Sequence, residues 1–254
     1  MISIFALEAF PLIQEGDNIA EIIIDTLSRS SNELQNGDVL VIAHTIVSKA
    51  EGRVIPLDTV EPSDFAQYIA KEGEKDPRLV EIILKQANSI VRMSPTIIIT
   101  ETKHGFICAN SGVDRSNVSL DKPGEEVVVL PEDPDRSAHE IRKSIFENLG
   151  VDVAVIISDT FGRPLRVGTT NVAIGCSGIS PLLDYRGSRD LFGYELKTTI
   201  VARADELATA AGLVMGQAAE GLPVIIIRGA MYEKAKIDLS AKILNRPRET
   251  ALFW

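Results

Sequence analysis

Residues 95–131 read PTIIITETKHGFICANSGVDRSNVSLDKPGEEVVVLP, and this stretch decides the fold class. Its β-branched runs, 96–100 and 126–130, are set off by Lys103-His104-Gly105 and Asp121-Lys122-Pro123-Gly124. Both interruptions have turn chemistry, because glycine accepts a left-handed backbone and aspartate or proline starts the reversal. Strands joined by tight turns pair antiparallel, since a parallel pair needs a crossover of about a dozen residues. Working outward, further strand patterns fall at 3–7, 39–43, 153–157, 196–201 and 224–228. Helical patterns lie between them at 20–27, 63–71, 77–87, 137–149 and 205–219. Helices and strands alternate without a regular βαβ beat. The expectation is a mixed α+β fold of largely antiparallel sheets with flanking helices, not a doubly wound parallel sheet. Pro131-Glu132-Asp133-Pro134-Asp135 reads as a capped helix start, not a linker, so residues 1–254 form one unit of two lobes.

Composition narrows the function. Hydrophobic residues at 45% and charged residues at 24% match folded soluble domains and exclude a disordered chain. The balance of 26 basic against 36 acidic residues gives a net charge of −10, which repels nucleic acid at long range. Cys108 and Cys176 are too few and too far apart for a disulfide framework or a zinc knuckle. The N-terminus has no basic export region, and no apolar run reaches the roughly 18 residues of a membrane span. A cytoplasmic, reducing compartment with no membrane partner is expected. A Walker A loop, a G-x-G spacing, a G-x-S-x-G elbow and an H-E-x-x-H helix are all absent from the sequence. Phosphate chemistry must therefore use a less common device.

The densest chemical signal is the apolar strand Val153-Ala154-Val155-Ile156-Ile157 followed by Ser158-Asp159-Thr160 and a segment rich in Gly, Arg and Thr to Gly178. A carboxylate at the C-terminal end of a buried strand lies where α/β sheets present ligands, and the adjacent hydroxyl is a second hard oxygen for Mg²⁺ or Mn²⁺. Asp159 and Thr160 are thus candidate metal ligands. Arg163 and Arg166 offer guanidinium forks to a phosphate or carboxylate beside that cation. A second acid, Asp114, stands in a turn-rich loop with Asn110, Gly112 and Asn117, and with Asp159 it forms a candidate two-carboxylate cradle. The strand 39–43 leads to His44, Thr45, Lys49 and Arg53, with Lys49 as a mobile charge for nucleotide phosphates. Gly216 and Gly221 near the end of the last helical pattern allow a close approach of backbone to a base or ribose.

These pieces, in this order, resemble the coenzyme F420-0:γ-glutamyl ligases. The strings that carry the resemblance are Phe10-Pro11-Leu12-Ile13, the run from Gly37 through Ser48-Lys49-Ala50-Glu51-Gly52-Arg53, the loop Asn110 to Asn117, and Ile157-Ser158-Asp159-Thr160-Phe161-Gly162-Arg163. Asp184-Tyr185-Arg186-Gly187 and Arg189-Asp190-Leu191-Phe192-Gly193 add to them, and nearly the whole chain takes part. The resemblance implies an unusual two-lobed α+β fold and a GTP-dependent ligase that adds γ-linked L-glutamate, and successive glutamates, to coenzyme F420-0 through an acyl phosphate. It further implies two Mg²⁺ or Mn²⁺ ions, K⁺, and a homodimer. Asp114 and Asp159 would hold one metal and Thr160 another. Phe10, Pro11, Leu12, Ile13, His44, Thr45, Lys49, Asn117 and the run Met215-Gly216-Gln217-Ala218-Ala219-Glu220-Gly221-Leu222 would line the GTP site. Where a metal-binding Glu is expected in that run stands Gln217, a neutral ligand, with Glu220 three residues on. Lys49, Arg163 and Arg166 are the candidate catalytic residues, and Arg186 and Arg189 join the two arginines as candidate grips on substrate anions. Two other readings use the same residues: a metal-dependent phosphohydrolase, or a non-catalytic protein that binds a deazaflavin or flavin.

Overall fold

A strand whose side chains are apolar on both faces must be covered on both faces. Val39–Ala43 and the first part of Ala154–Arg163 have that composition, and their register pairs them in parallel from Val39/Ala154 to Ala43/Ser158. The computed structural model describes every residue except Leu120, Lys122, Lys236, Asp238, Phe253 and Trp254. In chain order the elements are β1 (Ser3–Ala6), α1 (Ile19–Arg29), β2 (Val39–Ala43), α2 (His44–Ala50), β3 (Val54–Pro56), α3 (Asp64–Gly73), α4 (Pro77–Gln86), β4 (Ala87–Met93), β5 (Ile98–Thr102) and β6 (Ile107–Ala109). There follow β7 (Glu126–Val128), α5 (Pro134–Leu149), β8 (Ala154–Arg163), β9 (Arg166–Ser177), β10 (Leu183–Asp184), β11 (Ile200–Val201), α6 (Arg203–Met215) and β12 (Val224–Arg228).

The central sheet has the order β1-β12-β2-β8-β9, with β2/β8 parallel and the other neighbours antiparallel. Alternation sorts its side chains to two cores. Leu40, Ile42, Val155, Ile157, Val224 and Ile226 face α1 and α5, meeting Ile23, Leu27, Ile141 and Ile145. Val39, Val41, Ile156, Ile225 and Ile227 face α6, meeting Ala204, Leu207, Ala208 and Ala211. Ile157 is fully buried, so truncating it to alanine costs about 2–5 kcal/mol. The helices are capped as their sequences require: Asn18 accepts from Ala20 N and Glu21 N, Ser63 from Ala66 N, and Asp133 precedes Pro134 and accepts from Arg136 N.

Between α2 and α5 the chain builds smaller layers of its own. β4-β5-β6 form one antiparallel sheet, β3 and β7 pair antiparallel, and α3 and α4 bury Ala66, Ile69, Val80 and Ile83 against Ile98. The fold is α+β with mostly antiparallel sheets, as the turns of residues 95–131 require. Of those turns, 103–105 joins β5 to β6, while Lys122 of the second lies outside the described residues.

The structure corrects several boundaries. Only Ile200–Val201 of the 196–201 pattern is strand, because that segment belongs to an exposed arm held by a few backbone bonds. The helix expected to 219 ends at Met215, where Gly216 leaves the helical backbone. The Gly-, Arg- and Thr-rich segment after Thr160 is the long hairpin β8–β9, its glycines and threonines occupying strand rather than loop. Residues 44–50, to which the sequence pattern assigned no element, form α2.

Candidate active site

The site begins where β2 stops. Ala43 and Ser158 are the last pair of the parallel ladder, after which β2 turns into α2 while β8 runs on beside β9 alone. Asp159 is therefore not at the end of its strand. It stands at the rim of the sheet body, next to the first residue of α2. That register brings His44 Nε2 to 3.2 Å from Asp159 Oδ1. His44 is buried, and its Nδ1 lies 3.5 Å from Ser48 Oγ. Burial pushes the imidazole toward its neutral form, but the carboxylates of Asp159 and Asp114 outweigh it and the pKa is raised. Two acids far apart in sequence thus act on one imidazole.

Asp114 is held in place by its own loop. Its backbone bridges Val128, and its carboxylate accepts from Ser116 N at 2.9 Å and Ser116 Oγ at 2.6 Å. Asn110, Ser111 and Asn117 take left-handed backbone angles there, which asparagine tolerates better than most residues. Lys49, one turn along α2 from Thr45, donates from Nζ to Asn117 O at 2.5 Å, and partial burial lowers its pKa. Asn117 Nδ2 in turn donates to Ala218 O at 3.0 Å. The loop after α6 is thereby tied to the Asp114 loop and to α2.

The same loop closes on β8. Thr160 Oγ1 donates to Gln217 Oε1 at 3.0 Å, and Gln217 Nε2 donates to Asn171 Oδ1 at 3.0 Å. Asn171, buried on β9, donates to Ser158 Oγ at 3.2 Å and so completes the ring. A Cβ at Gly212 would lie 2.7 Å from Asn171 Oδ1, so only glycine lets α6 approach that amide. Gly216 has φ +73°, and a Cβ there would sit 2.2 Å from the Glu220 carboxyl carbon. Glu220 accepts from Ala218 N at 2.7 Å, and the backbone amides of its own loop hold its pKa below the usual carboxylate range. Of the two residues weighed for the second metal, Gln217 is the one that touches Thr160, while Glu220 is turned into its loop.

The remaining residues are more scattered. Phe10 is partly buried against the larger core, Ile13 is buried, and Leu12 is exposed. Their segment runs from Leu7, bonded to Val224, to Gly16, whose amide donates to Ala50 O at the end of α2. Met215 and Leu222 pack against the α6 core at the two ends of the closing loop. Arg163 donates to the carbonyls of Val167 and Gly168 at the tip of its own hairpin, with Arg166 exposed beside it. Arg186 forks onto Asp184, whose pKa falls to about 2 because of that guanidinium. Sequence reading passed over Asn171 and Ser48; a buried polar residue amid a β-branched strand was the available signal for the first.

Among the described residues no three His, Cys, Asp or Glu side chains cluster to hold a metal by themselves. Asp159 and Asp114 both act on His44, and the Thr160 hydroxyl meets the Gln217 amide. A family model described as F420-0:Gamma-glutamyl ligase matches residues 9–229. The chain belongs to that family. Within the family, it is 55% identical over 235 residues to a protein of Methanopyrus kandleri named coenzyme F420:L-glutamate ligase, covering 91% of this chain and 90% of that one. A protein of Methanothermobacter thermautotrophicus with the same name is 50% identical over 254 residues, covering 99% and 98%. One from Methanocaldococcus jannaschii is 49% identical over 245 residues, covering 96% and 93%. Among the described residues of this ligase-family chain, no helix is long and apolar enough to cross a membrane.

Proposed function

We propose that this chain joins L-glutamate to coenzyme F420-0 by an amide bond at the expense of GTP, and can repeat the addition with γ-linked glutamates. The observation that carries the reading is the set of long-range contacts that ties α2, the Asp114 loop, the loop after α6 and β8 together: Lys49 to Asn117, Asn117 to Ala218, Thr160 to Gln217 and His44 to Asp159. A carboxylate is a poor acylating agent. In the reaction proposed, the γ-phosphoryl group of GTP passes to a carboxylate oxygen of the coenzyme, giving GDP and an acyl phosphate. The glutamate amine then attacks the acyl carbon, phosphate leaves with the bonding electron pair, and the amine loses a proton. The protein's part is positioning and charge compensation.

Asp114, Asp159, Thr160 and Gln217 offer only hard oxygens, the donor set that suits Mg²⁺ or Mn²⁺, and phosphate oxygens would complete the shell. Such ions neutralise phosphate charge. Lys49 adds a cation at the same place, its ammonium already directed toward the Asp114 loop. Phe10, Leu12, Ile13, Thr45 and the loop 216–222 would border the nucleotide, and K⁺ belongs to the same reading. A second copy of the chain is the partner this reading gives to the arm 183–201, which exposes Leu191 and Phe192 almost completely.

The test is to incubate the protein with GTP, Mn²⁺, L-glutamate and coenzyme F420-0, following nucleotide by chromatography and product by mass spectrometry. GDP and glutamylated coenzyme in equal amounts are expected, with the mass ladder counting the residues added. GDP without amide product points instead to a phosphohydrolase. Tight coenzyme binding with no turnover, kept in Asp159→Asn, points to a binding protein.

A further inference from the structure

Asn171 is an amide buried at 5% exposure on a strand otherwise built of small and β-branched residues. It stands directly opposite Thr160 in the β8/β9 ladder, so both side chains leave the sheet on the face that α6 covers. Thr209 Oγ1 on α6 donates to the Asn171 carbonyl at 2.8 Å. Asp159, one residue before Thr160 in the same strand, leaves by the opposite face and meets His44 there. Asn171 therefore bears on Thr160 and Gln217 rather than on the Asp114 and Asp159 carboxylates.

The direction of its amide is set by its neighbours. Asn171 Nδ2 donates to Met215 Sδ at 3.7 Å and to Ser158 Oγ at 3.2 Å. A thioether sulfur only accepts, so the nitrogen faces it and Oδ1 points the other way, to Gln217. An amide oxygen also only accepts, so the atom of Gln217 turned toward it at 3.0 Å is Nε2. Gln217 Oε1 is left facing Thr160 Oγ1, again at 3.0 Å. Were the Gln217 amide flipped, two acceptor oxygens would meet at Asn171 with no hydrogen between them, and an amide nitrogen, which offers a cation only hydrogens, would stand beside Thr160.

The two oxygens so arranged suit one divalent ion, since their 3.0 Å separation is about that of adjacent oxygens around an octahedral Mg²⁺ with bonds of about 2.1 Å. We propose that Asn171 is a positioning residue for an ion held by Thr160 and Gln217, locking the Gln217 amide with its oxygen toward that ion. The inference rests on the metal-dependent nucleotide chemistry proposed above. Asn171 acts through Gln217, as the outer hydrogen-bond partners of metal ligands do.

Two substitutions separate positioning from mere packing. Asn171→Asp keeps an acceptor for Gln217 Nε2 but buries a charge, whereas Asn171→Leu keeps the bulk and has no acceptor. Electron paramagnetic resonance counts the Mn²⁺ bound per protomer of the whole protein with a non-hydrolysable GTP analogue. The wild type is expected to bind two ions, and Asn171→Asp also two, despite a lower melting temperature without metal. Asn171→Leu keeps one, its affinity for the other falling about ten- to a hundredfold. Gln217→Leu, on an exposed loop, gives the same loss at the wild-type melting temperature, and adding Asn171→Leu to it takes away nothing more. The proposal is overturned by two ions held at wild-type affinity in Asn171→Leu, by loss of an ion in Asn171→Asp, by additive losses in the double variant, or by a wild type that binds a single ion. Amide product from the wild type, with Asn171→Leu still binding both ions, sinks the positioning role and spares the ligase. Loss of one ion in Asn171→Leu, in a protein that releases GDP from GTP and forms no amide, does the reverse.

Discussion

The rim of β8 and the arm 183–201 both carry strings that resemble the ligase family, yet they are built in opposite ways. At the rim the bonds are long-range: Lys49–Asn117 spans 68 residues, Thr160–Gln217 spans 57 and Asn117–Ala218 spans 101. In the arm the side-chain bonds are local, Arg186 to Asp184 two residues away and Asp190 to the amides of Phe192 and Tyr194 two and four away. The rim is assembled by the whole fold and is therefore preorganised. The arm holds its own shape and leaves its apolar tip, Leu191 at 98% and Phe192 at 96% exposure, for something outside it.

The contrast breaks most directly at Asp159. Asp159→Asn is expected to lower glutamylated product by about a thousandfold or more, because an electrostatic group at the phosphates is lost. Circular dichroism and thermal melting of that variant should match the wild type. Next in size is Gly212→Val, which forces carbon against Asn171 and is expected to cost about 1–3 kcal/mol of stability while loosening Gln217 from Thr160. Denaturant unfolding together with product assay checks both arms. By contrast Leu191→Ser with Phe192→Ser should leave the melting temperature of the protomer unchanged and alter only its association, read by light scattering after gel filtration.

Much of this was legible in the chain. The continuous aliphatic runs at 39–43 and 224–228 fixed two strands to the residue, Ser63 marked its helix start, and the run 131–135 was legible as a capped entry although α5 begins at Pro134, three residues before the helical pattern at 137. Helix α2 was not legible, because His44-Thr45-Ile46-Val47-Ser48 is β-branched and polar and becomes helical only where β2 must turn off the sheet. β9 was hidden for a related reason, since Gly168-Thr169-Thr170 has turn composition and is strand only through its partner β8. The pairing of His44 with Asp159 follows from a parallel register, which no local pattern states. Arg163 and Arg186, two of the candidate grips, are each bonded within their own hairpin, which no sequence pattern states.

Smaller effects concern acid and thiol chemistry. Lys234 and Arg142 hold Asp152 below the ordinary carboxylate range. A depressed folded value means the stabilisation is complete above about pH 4 and is lost as pH falls through that lower value. Asp152→Asn should therefore flatten the fall in melting temperature below pH 4 and leave neutral activity intact. Cys108 is pushed to about 12 by burial, with the Asp159 charge adding to it, so iodoacetamide at pH 8 should leave it unlabelled until the protein unfolds.

The central claim is that Asp114 and Asp159 jointly seat divalent cations beneath a nucleotide. Electron paramagnetic resonance of Mn²⁺ titrated into the protein with GTP measures this without turnover. The account predicts nucleotide-dependent Mn²⁺ binding that is lost in both Asp114→Asn and Asp159→Asn. Undiminished Mn²⁺ binding in either variant would contradict it.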